Sequence, residues 1–206
     1  MTAPTRDRPL STADTVAMWI FIVAGLAIVG TTVYGAAVRL AEGLGGGAVD
    51  VPAVFVGTVA RAPIGPDGEM REVELQHAVL TTDGLSVAGT GALVLEQLLA
   101  VAAVITAVGC LVVVTLSVMR GRVFSRRNTA LIATAGLAVL AGMLGVPFFG
   151  NMVANDAFRA ISDGTFDNAI MSVEPFPLLA IAFVAAMAST VFAVGARLQR
   201  ETEGLV

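Results

Sequence analysis

Lysine is absent from this chain of 206 residues, and cysteine, histidine, tryptophan and tyrosine occur once each. The single cysteine, Cys110, excludes an internal disulfide, and its place in an apolar run makes it a small packed residue rather than a reactive thiolate. One histidine, His77, and one distant cysteine do not make a clustered ligand set for a transition metal, so no metal or other cofactor is expected. Charged residues make up only 14% of the chain, too few for a water-soluble domain of this size. The arginine-only basic set is read as coding bias in a GC-rich bacterium. No Gly-x-Ser-x-Gly elbow or phosphate-cradling glycine loop occurs, and Gly45-Gly46-Gly47 precedes no strand-to-helix turn. An enzyme is therefore not expected.

What is present in quantity is apolar sequence. Hydrophobic residues form 56% of the chain, concentrated in runs at about 16–41, 92–119, 128–149 and 175–197. Each run exceeds the roughly 20 residues that cross a hydrocarbon core of about 30 Å. All are apolar on every face rather than along one stripe. These runs predict a mainly α protein, a four-transmembrane-helix bundle forming one membrane domain over 1–206. The first run, about 26 residues long, outlasts the h-region of a signal peptide and is read as a span.

The charges divide by side. Arg6, Arg8, Arg120, Arg122, Arg126, Arg127, Arg197 and Arg200 share one side with only four acids. Arg39, Arg61, Arg71 and Arg159 share the other with twelve. Arginine close to span ends stays on the cytoplasmic side, which predicts an inner-membrane protein with both termini cytoplasmic. Trp19 and Tyr34, toward opposite ends of the first span, suit the two interfaces.

The segment 43–91 is expected to be an extracytoplasmic, β-rich insertion between helices 1 and 2. Val54 to Ala60 is rich in β-branched residues, Pro63 to Gly68 is a turn cluster, and Glu72 to Gln76 alternates before weakening at His77-Ala78-Val79. A further short strand through Val87 would make two to four strands. His77, on the face of Val73, Leu75 and Val79, is expected to be packed or interfacial. Residues 150–174 read as a short amphipathic helix lying at the interface and broken at Asp163-Gly164. Ser11 and Ser125 are expected helix N-caps.

Two groups of residues are candidate sites. Glu96 lies about one turn inside the second span, where its carboxylate reaches the outer interface or Arg39. Snorkelling to the interface or ion pairing is the expected role, with a ligand or ion site as the alternative. Arg122, Phe124, Arg126, Arg127, Arg197 and Arg200 form a candidate surface for a cytoplasmic partner, with Phe124 as anchor and Glu201 and Glu203 as counter-charges. Lipid anchoring of Phe124 is the competing reading. Ala138 and Gly142, like Ala141 and Gly145, are spaced for close helix approach. The arginines suit an anionic bilayer, and direct nucleic-acid binding is not expected.

Gly121-Arg122-Val123-Phe124-Ser125-Arg126-Arg127-Asn128 before an apolar helix, with the ending Gly195 to Val206, resembles the bacterial four-span membrane family called domain of unknown function 2975. The resemblance implies a possible small helix-turn-helix regulator as partner, and carries no activity or catalytic residue. The function expected is that of a non-enzymatic signalling or regulatory partner with an extracytoplasmic sensing loop. The alternative is an accessory subunit of a larger membrane complex or transporter.

Overall fold

A computed structural model describes residues 11–166 and 174–203, without the side chains of Arg200, Thr202 and Glu203. Arg6, Arg8, Asp167, Asn168 and the last three residues lie outside the described residues. In chain order come α1 (Thr12–Leu44), β1 (Val49–Ala62), a 3-10 turn (Pro66–Gly68), β2 (Arg71–Thr82), α2 (Val87–Met119), α3 (Arg126–Ile161) and α4 (Pro175–Glu203). The protein is mainly helical with one two-stranded sheet. All four helices are long and apolar enough to cross a membrane.

Local chemistry explains the helix ends. Ser11 and Asp14 form a reciprocal cap: the Asp14 amide donates to Ser11 Oγ at 3.1 Å, and the Ser11 amide donates to Asp14 Oδ2 at 3.1 Å. The Asn128 amide likewise donates to Ser125 Oγ at 3.1 Å. At the close of α2 the Arg122 amide reaches back to Ser117 O at 3.0 Å and the Gly121 amide to Val118 O at 2.9 Å. That pairing is a Schellman motif, which needs the left-handed backbone Gly121 adopts at φ 76°.

Two compact units appear, each discontinuous in sequence. One comprises 33–102 and 141–176 and contains the hairpin. Its core joins Val49, Val51 and Ala53 of β1 to Ala92 and Leu93 of α2 and to Val153, Ala154, Ala157 and Phe158 of α3. Here α3 corrects the expectation of a separate interfacial helix after residue 149: it runs unbroken to Ile161. The apolar stripe at 153, 154, 157 and 158 recurs at helical spacing and buries against β1, which outweighs the weak helix preference of Asn151 and Asn155. The helix does stop where Asp163 and Gly164 take left-handed backbone, at φ 52° and 76°.

The start of α2 is a second correction. Val87 opens a helix rather than ending a strand, so the sheet has two strands among the described residues. Ser86 is its cap, with Oγ accepting from the Gly89 amide at 3.2 Å. Asp156 of α3 reinforces it across 70 residues: Oδ2 accepts from the Ser86 amide at 2.7 Å and Oδ1 from Ser86 Oγ at 2.6 Å. A carboxylate at a helix N-terminus also meets the positive end of the dipole.

The hairpin pairs antiparallel from Val49↔Thr82 to Ala62↔Arg71, with an irregularity between Val54 and Thr58. Gly57 there takes φ 64°. Across it the more buried positions change parity, from 49, 51 and 53 to 58, 60 and 62 on β1, and from 82, 80 and 78 to 75 and 73 on β2. The weakening of alternation at His77 marks this change. His77, opposite Val54, is consequently exposed, not packed as expected. Phe55, in the irregularity, stacks edge-on against Phe158 with centroids 5.0 Å apart, and Phe166 completes the cluster at 5.0 Å from Phe158.

The other unit comprises 1–32, 103–140 and 177–206. Its helices meet through small residues. A Cβ at Gly25 of α1 would meet Val108 of α2, and one at Gly136 of α3 would collide with Ala185 of α4. Large apolar side chains stay on the outside: Trp19 is 53% exposed, Leu137 67% and Phe183 66%.

Candidate functional site

The hairpin unit encloses a cavity of about 300 Å³. Arg39 comes from α1, Pro52 and Val54 from β1, Glu96 from α2, and Pro147, Gly150 and Asn151 from α3. Helix α3 opens the space with two residues. Gly150 has no side chain, and a Cβ there would lie 3.4 Å from Glu96 Oε1, so the carboxylate rests over bare backbone. Pro147 lacks an amide hydrogen, which frees the carbonyl one turn earlier from its helical bond.

Arg39 and Glu96 are brought to one cavity, as the sequence suggested, but not into a direct ion pair. Arg39 Nη1 donates to Asp50 O at 2.7 Å and lies 3.5 Å from Glu42 Oε2. Asp50 Oδ1 in turn accepts from Thr81 Oγ1 at 2.7 Å. Arg39 therefore pins the first residues of the hairpin to α1 while supplying an opposing charge to Glu96. The half-buried Glu96 makes no hydrogen bond at contact distance with a described residue. A space with apolar walls, one carboxylate and one guanidinium suits a small amphiphile with a polar end. Among the described residues no group of three His, Cys, Asp or Glu is placed to hold a metal ion.

The second candidate region lies in the helical unit. Phe124 stacks on Phe192 of α4, centroids 5.6 Å apart, with its ring over Gly195. It keeps 38% exposure, so its anchor within the protein is α4. The expected pairing of Glu201 with the loop arginines is corrected: Glu201 Oε1 accepts from Arg197 Nε at 3.0 Å, one turn away on the same helix. That i, i+4 contact joins neighbours already held on one face of the helix. The side chain of Arg200 lies outside the described set. Arg120, Arg122 and Arg127, with Ser117 and Asn128, line a cavity of about 230 Å³. Arg126 does not.

Several of these residues carried no sequence signal of their role. Asp156 looked like one polar residue among many. Gly136 and Gly195 were hidden in an alanine- and glycine-rich background, and Asn128 read as the first residue of a span. No family model matches the chain, and neither a curated protein nor a solved structure is detectably similar to it. The likeness drawn from the loop and tail therefore stands on those residues alone.

Proposed function

We propose that this chain is a four-span bundle of a bacterial inner membrane, with both termini cytoplasmic and the hairpin extracytoplasmic, acting as a non-enzymatic signalling or regulatory partner. The hairpin unit receives an envelope ligand or condition, and the arginine loop and α4 tail engage a cytoplasmic regulator. The observation that carries this reading is the Arg39–Glu96 cavity. An occupant touching Pro52 or Val54 of the hairpin also touches α2 and α3 at Glu96 and Gly150. A helix of 33 residues such as α2 rises about 50 Å, ample for a hydrocarbon core of about 30 Å. The charge division supports the orientation. The resemblance to domain of unknown function 2975 supports a helix-turn-helix regulator as the partner.

Two experiments test it. In a Cys110→Ala background, a cysteine at Ile64 should label from outside intact cells and one at Gln199 should not. The reverse pattern inverts the topology. Affinity purification in mild detergent, with mass spectrometry of what copurifies, tests the role. A cytoplasmic regulator is expected. Recovery of transporter or other membrane subunits alone would favour the accessory-subunit reading, for which an exposed apolar groove on α1 at Val16, Trp19, Ile20 and Val23 is the supporting observation.

A further inference from the structure

We infer that the α2–α3 turn is a binding site for a phosphate anion, with Arg120, Arg122 and Arg127 as its cationic ligands. The inference does not depend on the sensing role. Membrane topology needs arginine near span ends but no particular arrangement of it. Here the arrangement is built. The Schellman motif sets the turn, Ser117 Oγ donates to Arg122 O at 3.1 Å, and Asn128 Nδ2 donates to Arg122 O at 2.8 Å and Val123 O at 2.9 Å. Asn128 is 0% exposed, so this clamp is shielded from water. It holds Arg122 beside a cavity that Arg120 and Arg127 also line.

The charge of the turn calls for an anion. Among the described residues, none of the three guanidinium groups has a carboxylate partner, and Glu201 is held by Arg197. The three arginines are exposed, so solvent screens much of their mutual repulsion, and an anion lying among them would lower what remains. Guanidinium groups match phosphate oxygens with paired N–H donors. Asn128 Oδ1 is the one buried side-chain polar atom among the described residues without a hydrogen-bond partner. Its amide nitrogen is committed to two carbonyls, so this atom is fixed as an acceptor. Sealed from water beneath the turn, this atom is not itself a ligand of the anion, and Asn128 serves to fix the turn.

A lipid headgroup and free phosphate share this chemistry, and the test separates them. The detergent-purified full chain is titrated with phosphatidic acid, phosphatidylglycerol or diacylglycerol, which lacks the phosphate, and retention is read by native mass spectrometry. Inorganic phosphate is titrated in parallel by thermal shift. Wild type should retain the phospholipids over diacylglycerol. Arg122→Gln should weaken retention about tenfold, while Arg126→Gln, an equal loss of charge outside the cavity, should leave it within about twofold. Arg127→Gln repeats the comparison from the helix side, independent of the loop conformation. Retention of lipid without a response to inorganic phosphate identifies a headgroup site; a response to both identifies a site for phosphate as such. The inference is overturned if wild type prefers neither phospholipid and ignores inorganic phosphate, or if Arg126→Gln loses as much as the two cavity variants.

Discussion

The hairpin unit and the helical unit are held together in different ways. In the first, large side chains disappear from the surface: Leu93 is 0% exposed, Val51 1% and Val153 2%. In the second, the closest contacts run through glycine and alanine, and most large aliphatics face outward, with Ile22, Val114 and Ile132 buried among them. A core that excludes water gains from every apolar area it hides. Helices surrounded by lipid gain nothing by hiding leucine from it, so they associate through close backbone approach and shape. Under the membrane placement proposed above, the two units answer to different solvents.

That contrast is most directly broken by Leu93→Ala. It should destabilise the hairpin unit by about 2–5 kcal/mol, as large-to-small changes in closed cores do. Faster proteolysis at the exposed turn around Ile64 would report it, and an unchanged rate would mean the core is not what holds the hairpin. Asp156→Ala comes next. It strips the Ser86 cap of its charged acceptor and should cost about 1–3 kcal/mol, read by the same assay. In the helical unit the sensitive position is a glycine: Gly136→Leu must displace Ala185 and should cost about 1–3 kcal/mol in detergent unfolding. Beside it, Leu137→Ala removes a 67% exposed side chain and should stay within about 0.5 kcal/mol. If the leucine matters more than the glycine, the lipid-facing account of this unit fails. Smallest of all, Glu96→Gln should leave abundance and unfolding unchanged. A selective loss of ligand response at normal abundance would mark the carboxylate as part of the binding site.

Features written in adjacent residues were legible without coordinates. The caps at Ser11 and Ser125, the turn at Pro63 to Gly68 and the break at Asp163-Gly164 depend on a few neighbouring positions, and the structure has all of them. The apolar runs found the four helices but understated their ends: α1, α2 and α3 begin in capped turns ahead of the hydrophobic stretch, and α3 runs on to Ile161 along a stripe that buries against β1. Non-local contacts were not legible. Asn151, Asn155 and Asp156 read as interfacial because the β1 surface that buries their helix lies about 100 residues away in the chain. The nearness of Glu96 to Arg39 was legible, but the cavity that both line was not. The diversion of Arg39 to Asp50 and Glu42 was not, since it depends on where the hairpin begins.

The seat of Phe124 on Gly195 has a mechanical consequence. A ring lodged where a side chain is missing acts as a detent. Turning α4 by one residue, about 100°, would carry Val194 or Ala196 into that seat, and either side chain would eject the ring. At this end α4 therefore has one preferred angular setting. Rotation must first lift the ring out, so α4 resists torsion at this end.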